Sequence, residues 1–251
     1  MAGEEAIKLA ARIIAKAKRI IAFTGAGISV ESGIAPFRGK GGLWEKYNPE
    51  EYAHINTFRE NPEKSWIMLT EMLELIKKAK PNPAHLALAK LEKIGKLRCI
   101  ITQNIDNLHQ KAGNTSVIDF HGNTSSLVCL ECSRKYKLDD FSLEKIPPRC
   151  ECMGLLKPDV VFFGEPIPVE ALYRSQEEAS KCDLMLVIGT SAVVQPAASL
   201  LGIAKRAGAT VIEINPEPTP ITGIVSDFII EGKAGEVLPR IVEEVEKIRI
   251  R

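Results

Sequence analysis

The chain has 251 residues and an almost neutral formal charge of +1, from 33 Lys and Arg against 32 Asp and Glu. Apolar residues make up 45% and charged residues 26%, which excludes an intrinsically disordered chain. The balanced charge argues against direct nucleic-acid binding, which depends on a basic surface. Six Cys are too few for a disulfide scaffold of this length, so metal binding or burial is expected of them.

The N-terminal residues Met1 to Glu5 include two acids and lack the apolar core of a signal peptide. No apolar stretch approaches the roughly 18 residues of a membrane-spanning helix. We therefore expect a cytoplasmic protein without a membrane partner, in a reducing environment where thiols and thiolate ligands persist.

Short continuous apolar runs alternate with segments of helical periodicity. Continuous runs are typical of strands buried on both faces of a parallel sheet. The predicted strands are 20–23, 99–101, 117–120, 184–188, 211–214 and 228–230. The predicted helices are 6–18, 83–94, 169–181, 196–207 and 236–248. This alternation predicts an α/β fold with a doubly wound, Rossmann-like parallel sheet of about six strands.

Two segments interrupt the alternation and are interpreted as insertions. Residues 39–81 contain two Trp and a predicted helix at 62–80, but no convincing strand. Residues 127–156 contain four Cys and a Pro-Pro pair. We expect the first to be a helical insertion that covers the pocket and the second a metal-binding module. The Rossmann-like domain would then be discontinuous, formed by residues 1–38, 82–126 and 157–251.

A glycine-rich segment, Thr24 to Gly33, follows the first strand directly. Glycines at this point let backbone amides approach a pyrophosphate at the carboxyl edge of the sheet. The dinucleotide fingerprint is imperfect, because Val30 stands where Gly or Ala is usual. No acid ends a second strand about 20 residues later, where a dehydrogenase binds the ribose. The alternative is a tight strand-to-helix turn without a ligand.

Polar residues also follow the second and third predicted strands. Gln103, Asn104 and Asp106 suit hydrogen bonding to a carboxamide and a ribose, although Asn104 or Asp106 would also serve as a helix cap. His121, before Gly122, is a candidate general base because the ordinary pKa of His lies near neutrality. The alternative for His121 is a partly buried histidine without a catalytic role.

The cysteines fall into two close pairs and two isolated residues. Cys129 and Cys132 form a CxxC pair, and Cys150 and Cys152 follow as a tighter CxC pair. Four thiolates in two pairs match a structural tetrahedral zinc site, with a redox pair or a vestigial site as the alternative. The isolated thiols, Cys99 and Cys182, are expected to be buried.

Two further segments complete the set of candidates. Residues 157–166 form a stiff apolar strand that ends at Gly164 and Glu165 and suits strand addition of an extended peptide. Gly189, Thr190 and Ser191 follow another strand and suit hydroxyl and amide contacts with a nucleotide.

Taken in order, these segments resemble the sirtuins, the NAD-dependent protein lysine deacylases, and the resemblance covers nearly the whole chain. It rests on Gly25-Ala26-Gly27-Ile28-Ser29, Ser32-Gly33-Ile34, Phe37-Arg38, Thr102-Gln103-Asn104-Ile105-Asp106, Phe120-His121-Gly122, the four Cys, Val161, Phe163-Gly164-Glu165, Gly189-Thr190-Ser191, Ile214-Asn215 and Gly232-Lys233-Ala234. A single one of these motifs is weak, but the ordered series is hard to obtain by chance. The resemblance implies a prokaryotic or archaeal-type member.

The resemblance implies a role for each matching position. The catalytic residues would be His121, Asn104 and Asp106. NAD would be bound by Gly25, Ala26, Gly27, Ser29, Glu31, Phe37, Arg38, Gln103, Asn104, Ile105, Asp106, His121, Gly189, Thr190, Ser191, Asn215, Pro216, Glu217, Lys233 and Ala234. The substrate would be bound by Val161, Phe162, Phe163, Gly164, Glu165 and Val194. Structural Zn²⁺ would be held by Cys129, Cys132, Cys150 and Cys152.

The implied reaction transfers the acetyl group of acetyl-lysine to ADP-ribose. The acyl oxygen attacks the nicotinamide ribose and expels nicotinamide, and His121 then activates a ribose hydroxyl. The products are free lysine, nicotinamide and O-acetyl-ADP-ribose. The implied partner is an acetyl-lysine protein or peptide, an acetylated chromatin protein among the candidates.

Some positions depart from the family pattern. Pro36 replaces the acid usual before the Phe-Arg pair, and Asn123 replaces the commoner Ser. The positions that carry Tyr and Arg in desuccinylating members match Leu69 and Met72, so acetyl or longer uncharged acyl groups are expected over succinyl. The competing hypotheses are a zinc-containing NAD oxidoreductase and a non-catalytic NAD- or zinc-dependent binding module.

Overall fold

The structure is a computed structural model that describes residues 3–37, 41–143 and 145–250. The strands are β1 (Ile20–Thr24), β2 (Leu97–Thr102), β3 (Val117–Asp119), β4 (Gly122–Cys129), β5 (Lys135–Lys137), β6 (Leu156–Val160), β7 (Leu184–Ile188), β8 (Thr210–Asn215) and β9 (Phe228–Glu231). The helices are α1 (Glu4–Lys16), α2 (Leu43–Lys46), α3 (Pro49–Tyr52), α4 (Ile55–Glu60), α5 (Pro62–Lys78), α6 (Pro83–Lys93), α7 (Leu108–Lys111), α8 (Val169–Lys181), α9 (Ser199–Arg206) and α10 (Ala234–Ile250). Short 3-10 helices lie at Ala26–Ser32 and Leu138–Asp140.

Six parallel strands form the main sheet in the order β3-β2-β1-β7-β8-β9. All six predicted strands are therefore confirmed, and so is the doubly wound fold. The strand order reverses between β1 and β7. In open parallel sheets, ligands bind beyond the carboxyl ends of the strands at such a reversal.

Helices cover both faces of the main sheet. On one face, α1, α6 and α10 contribute Ile7, Leu88 and Val242 to a core against the sheet. On the other face, α8 and α9 contribute Ala179 and Leu201 to a second core. Both faces of β1 and β7 are buried throughout, which explains their continuous apolar sequences.

One predicted helix begins later than expected. Periodicity places its start at residue 196, whereas α9 begins at Ser199. The amides of Ser199 and Leu200 donate to the carbonyls three residues earlier, so this stretch is a tight turn rather than an α-helix.

A smaller unit packs beside the carboxyl edge of the main sheet. Its three antiparallel strands lie in the order β5-β4-β6, and β4 begins at Gly122, before the predicted module start at residue 127. The helical segment and the cysteine segment share one core, in which Trp66 donates from Nε1 to the carbonyl of Leu156 at 3.2 Å. The two insertions therefore pack together as one unit.

Within the described residues, we find no helix with the length and apolar character required to cross a membrane.

Candidate active site

A cavity of about 670 Å³ lies between the carboxyl edge of the main sheet and the smaller unit. One side, which we call the sheet edge, is formed by residues that follow β1, β2, β7 and β8: Gly25, Ala26, Gly27, Gln103, Asn104, Gly189, Thr190, Ser191, Asn215, Pro216 and Glu217. The other side, which we call the apolar wall, is formed by Met68, Leu69, Met72, Val160, Val161, Phe162 and Phe163. His121 lines the same cavity. Residues far apart in the sequence thus meet in one site.

The glycine-rich segment packs directly against the turn after β7. A Cβ at Gly27 would lie 2.7 Å from the Cα of Gly189, and Gly27 donates from its amide to the Gly189 carbonyl at 2.8 Å. Gly189 itself has φ +60°, which favours glycine. Side chains at these positions would push the two turns apart. The glycines are therefore required by the close packing of these two turns, which line the floor of the cavity.

Asn104, Ser29 and Asp106 form a buried polar chain beneath the cavity. Asn104 donates from Nδ2 to Ser29 Oγ at 3.1 Å, and Ser29 Oγ donates to Asp106 Oδ2 at 2.7 Å. Burial raises the pKa of the Asp106 carboxyl. All three residues line a second, smaller cavity of about 50 Å³ whose other walls include Phe37 and Ile105. This pocket has polar groups on one side and apolar walls elsewhere.

The helix-cap alternative is not what the structure shows, because Asn107 occupies the cap position of α7 and makes no side-chain cap hydrogen bond; Asp106 lies one residue earlier. Its Oδ1 accepts from the amide of Leu108 at 2.9 Å, at the first residue of α7. Asn104 instead donates to the carbonyl of Gly25 at 3.1 Å, which ties the end of β2 to the turn after β1. The Asp106 contact therefore closes the turn that precedes α7, and helix capping accounts for the contacts of neither Asp106 nor Asn104.

The ring of His121 is held by a backbone carbonyl. Its Nδ1 lies 3.1 Å from the carbonyl oxygen of Gln103, and a carbonyl only accepts, so Nδ1 carries the proton. The neutral ring then has Nε2 as its basic nitrogen. Burial lowers the pKa of His121, which keeps the ring neutral near pH 7. These are the properties required of a general base.

The position that follows His121 requires a glycine, Gly122. It has φ +71°, and a Cβ there would lie 2.1 Å from the carbonyl oxygen of Asp159 on β6. β4 and β6 approach each other closely at this point, and the amide of Val161 donates to the His121 carbonyl at 2.8 Å. The backbone of His121 is thereby fixed beside the segment that forms the apolar wall.

All six predicted substrate-binding residues, Val161, Phe162, Phe163, Gly164, Glu165 and Val194, line the cavity. The regular strand, however, ends at Val160, earlier than the sequence predicts. Phe163 pairs with the helical segment instead, donating to the carbonyl of Ala53 and accepting from the amide of Ile55. The amide of Phe162 donates to the Glu165 carboxylate at 2.8 Å. Much of this backbone is therefore already paired within the chain.

Not every predicted cofactor residue lies at a described cavity. Glu31, Lys233 and Ala234 are absent from the lining of both cavities in the described part of the chain. Glu31 accepts from the amide of Gly235 at 2.8 Å, at the start of α10. Arg38 lies outside the described residues.

The sequence assigned no role to an aromatic cluster at the apolar wall. Trp44 stacks on Phe37 with ring centroids 5.3 Å apart and lies 6.1 Å from the Phe163 ring. All three rings line the large cavity. The two Trp in residues 39–81 could have indicated an aromatic contribution to the site, but the sequence pattern does not show which of them faces the cavity. In the structure, Trp66 is buried in the core and Trp44 reaches the site.

The four paired cysteines converge on one point. Their Sγ atoms all lie within 4.8 Å of one another, and the Cys129–Cys152 and Cys132–Cys150 separations are both 3.6 Å. A tetrahedral zinc site with Zn–S bonds of about 2.3 Å has S–S edges of about 3.8 Å, so the donor set fits zinc. Directly after the CxC pair, Met153 has φ +68° and donates from its amide to the Cys150 carbonyl at 2.8 Å, which closes a tight turn around the pair. The cluster lies within the smaller unit and lines neither cavity.

The isolated thiols are buried, as expected. Burial raises the pKa of Cys99 to about 12 and that of Cys182 to about 11. Both are therefore protonated and unreactive near neutral pH.

A parallel sheet with a glycine-lined cavity at its strand reversal, a neutral histidine and a four-thiol cluster together define a nucleotide-binding α/β enzyme with a zinc module. The Sir2 family model matches residues 25–196 of the chain. The chain is 50% identical to NAD-dependent protein deacylase 2 of Archaeoglobus fulgidus over 252 aligned residues, covering 98% of both chains. It is 49% identical to the NAD-dependent protein deacylase of Pyrococcus abyssi, covering 95% and 97% of the two chains. The chain belongs to the Sir2 family.

Solved structures of the family agree with this assignment. A Sir2 homologue in complex with NAD matches at 45% identity and TM-score 0.89, covering 99% of this chain and 95% of that one. A mutated homologue in complex with 2′-O-acetyl ADP ribose matches at 43% identity and TM-score 0.90, covering 98% and 97%. Sir2Af2 bound to a myristoylated histone peptide matches at 43% identity and TM-score 0.83, covering 99% of both chains.

Proposed function

We propose that this protein is an NAD-dependent protein lysine deacylase that transfers the acetyl group of acetyl-lysine to ADP-ribose. The observation that carries the proposal is one continuous cavity joining the polar sheet edge, the neutral His121 and the apolar wall. A nucleotide, a general base and an apolar acyl group can therefore meet within it. Relatives at about half identity are NAD-dependent deacylases, and related structures hold NAD, an acetylated ADP-ribose and an acylated histone peptide.

The residues of the sheet edge fit NAD. The glycine turns line the cavity at the strand reversal, and Asn104, Asp106 and Ser29 bring amide, carboxyl and hydroxyl groups to the smaller pocket. Bound there, NAD supplies an electrophilic ribose carbon with nicotinamide as leaving group and the ribose hydroxyl that receives the acyl group. We place nicotinamide in the smaller pocket, since its flat ring suits the apolar walls and its carboxamide suits the polar chain.

His121 acts as the general base. Its Nδ1 is committed to the Gln103 carbonyl, so Nε2 is the atom that takes a proton from a ribose hydroxyl. Because burial keeps the ring neutral, this nitrogen is available near pH 7. Its backbone contact with Val161 holds the base beside the acyl group, which favours a productive geometry.

The apolar wall selects a neutral side chain. Met68, Leu69, Met72 and Phe163 offer no group that would compensate a buried charge. An acyl-lysine is neutral and can enter, whereas the product lysine carries an ammonium that is costly to bury. This difference favours binding of the substrate and release of the product.

The substrate is an acylated peptide segment of a protein. Because the amides of Val161, Phe162 and Phe163 are already hydrogen-bonded, we infer that the peptide backbone pairs with the Val161 carbonyl and with Gly164. Such pairing reads little side-chain identity, which suits several protein substrates. An acetylated chromatin protein is our proposed physiological class, recognised through a peptide and not through DNA. The cytoplasm is the compartment that we propose.

We also propose that the chain is divided into one discontinuous domain and two insertions. Residues 1–38, 82–126 and 157–251 would form the nucleotide-binding domain, with 39–81 and 127–156 as the insertions. In its support, the two insertions share a core separate from the two cores of the main sheet.

Mass spectrometry tests the proposed reaction. Protein, NAD and an acetyl-lysine peptide are incubated, and we expect the free peptide, nicotinamide and O-acetyl-ADP-ribose in equal amounts. Reduced nicotinamide cofactor, seen as new near-ultraviolet absorbance, would indicate an oxidoreductase instead. Binding of NAD without nicotinamide release in the presence of the peptide would indicate a binding module.

The acyl preference is tested by competition. Acetyl- and succinyl-peptides of the same sequence are supplied together, and we expect acetyl removal to be faster by at least about tenfold, since a carboxylate finds no cationic partner at Leu69 or Met72. Faster succinyl removal would contradict the apolar assignment of this wall.

A further inference from the structure

Glu213 is a carboxylate buried in the middle of β8. It has no exposed surface, and burying an ionisable side chain is costly unless hydrogen bonds compensate. Its environment is unusual because the donors around it are neutral side chains. The proposed reaction assigns Glu213 no role, and it does not line either cavity.

Four neutral donors surround its two oxygens. Oε1 accepts from Asn215 Nδ2 at 3.0 Å and from Thr219 Oγ1 at 2.5 Å. Oε2 accepts from Thr222 Oγ1 at 2.6 Å and from Ser226 Oγ at 3.1 Å. Two bonds to each oxygen use the acceptor capacity of a carboxylate. Three of these donors lie on the loop after β8, and the fourth, Asn215, lies at the sheet edge.

The amide of Asn215 is thereby held in one orientation. Its Nδ2 group donates to Glu213 Oε1 and also to the carbonyl of Thr190 at 3.2 Å, which uses both amide hydrogens. A flipped amide would place its carbonyl oxygen against two other acceptors. The atom of the side chain that remains for a ligand is therefore the acceptor Oδ1, and Asn215 lines the cavity.

We propose that Glu213 is a positioning residue for the nucleotide. It fixes the Asn215 amide so that Oδ1 accepts a hydrogen bond from a hydroxyl group of the adenosine ribose. This inference rests on the proposed function: with nicotinamide in the smaller pocket beside Asn104 and Asp106, the adenosine half of NAD extends along the sheet edge, where Asn215 lies. A second consequence is that the loop after β8 is tied to the same carboxylate, since Thr219 lines the cavity and also donates to Glu213.

Binding of ADP-ribose, measured by calorimetry, tests the proposal without requiring turnover. E213Q removes the negative charge and one of the two acceptor oxygens, which weakens the hydrogen bond that orients the Asn215 amide. We expect ADP-ribose to bind about tenfold more weakly, as for the loss of one hydrogen bond. In turnover, the KM for NAD should rise while the peptide KM and the kcat at saturating NAD stay near their wild-type values.

An analogue separates positioning from general loosening of the fold. ADP-ribose with a 2′,3′-dideoxy adenosine ribose lacks the hydroxyl donors, so wild type and E213Q should bind it equally. An equal loss for both ligands would overturn the proposal. In a double-mutant cycle, E213Q should add nothing to N215A, because both remove the same contact. Independent, multiplying losses would also overturn it.

Glu92 provides the matched control. It too is surrounded by neutral donors, from Asn114, Thr115 and Ser116, but at the amino end of β3 and away from both cavities. E92Q should lower the melting temperature while leaving ADP-ribose affinity at the wild-type level. A loss of affinity in E92Q as large as that in E213Q would show that any loosening of this kind suffices, and would overturn the specific role.

Wild-type protein keeps the proposal testable if E213Q does not fold. Both Asn215 side-chain amide hydrogens should exchange slowly with solvent in the nucleotide-free protein, as measured by NMR; fast exchange would overturn the proposal. The outcomes also separate the failure of this proposal from the failure of the proposed function. If the wild-type protein binds neither NAD nor ADP-ribose, the proposed function is contradicted. If N215A binds ADP-ribose more weakly but a folded E213Q binds it normally, only the role of Glu213 is contradicted.

Discussion

The two sides of the cavity are built in different ways. The sheet edge consists of turns at the carboxyl ends of parallel strands, and its polar groups are held by hydrogen bonds between neighbouring turns, such as those of Gly27 with Gly189 and of Asn104 with Gly25. The apolar wall consists of side chains from α5 and from the segment after β6, held by packing within the smaller unit. The first side suits a polar nucleotide, and the second suits a neutral acyl chain.

The two functions of the site therefore depend on separate sources of stability. The turns of the sheet edge are held in place by the two hydrophobic cores that pack on the main sheet. The apolar wall depends on a smaller core, to which the zinc-type cluster contributes Cys129 and Cys150. Changes to one side should therefore leave binding at the other side largely intact, and His121, which lies between them, is the exception.

Replacement of His121 should have the largest effect. In His121→Ala the base is lost, and we expect deacylation to slow by about 10²–10⁴-fold, the usual contribution of a general base. ADP-ribose affinity should stay within about threefold of wild type, since the sheet edge remains. Turnover is followed by mass spectrometry and binding by calorimetry. Unchanged turnover would remove His121 from the mechanism.

Removal of zinc should damage the apolar wall more than the sheet edge. After chelation, or in Cys132→Ser, we expect peptide deacylation to fall by about tenfold or more, because the metal's binding energy supports folding of the smaller unit. ADP-ribose affinity should change far less. Cys182→Ala is the control, since Cys182 lies in the main-sheet core. Parallel loss of both properties would contradict the separation of the two sides.

Gly27→Ala should damage the sheet edge instead. The added methyl would lie 2.7 Å from Gly189, and such overpacking typically costs about 1–3 kcal/mol. We expect weaker ADP-ribose binding, by about tenfold, with the peptide KM unchanged. Gly202→Ala in α9, where the nearest atom is the flexible end of Arg206 at 3.3 Å, is the control and should bind normally. Normal binding by Gly27→Ala would show that the turns can shift apart freely.

The pH dependence of turnover should show the smallest effect. Because burial lowers the pKa of His121 below its ordinary value of 6.5, the neutral base predominates at pH 7. Activity should therefore be level between about pH 7 and 8 and should fall only below about pH 6.5, as the ring becomes protonated. The measurement is kcat/KM across this range. A midpoint above pH 7 would contradict the buried, neutral state of the ring.

The fold was predictable because its strands are buried on both faces. Continuous runs such as 184–188, separated by amphipathic helices, leave little alternative to a parallel sheet. The site was predictable to the extent that its residues follow strand ends. Asn104, His121, Gly189 and Asn215 come from four such positions, and parallel strands bring their carboxyl ends to a common edge.

The smaller unit was less predictable. Its core comes from two segments that are separated in the chain by β2 and β3 of the main sheet, so periodicity does not show that Trp66 meets Leu156. The role of Trp44 and the pairing of Phe163 with Ala53 likewise depend on contacts across that gap.

Local apolar patterning and residue type are enough to predict the parallel sheet, the order of the motifs and the chemistry available at the strand ends. Three properties become visible only in the folded protein: which nitrogen of His121 is basic, which atom of Asn215 remains for a ligand, and which donors compensate the buried Glu213. The partners of His121 and Asn215 lie 18 and 25 residues away in the chain. Those of Glu213 lie within 13 residues, but they reach its carboxylate only because the loop after β8 folds back over it.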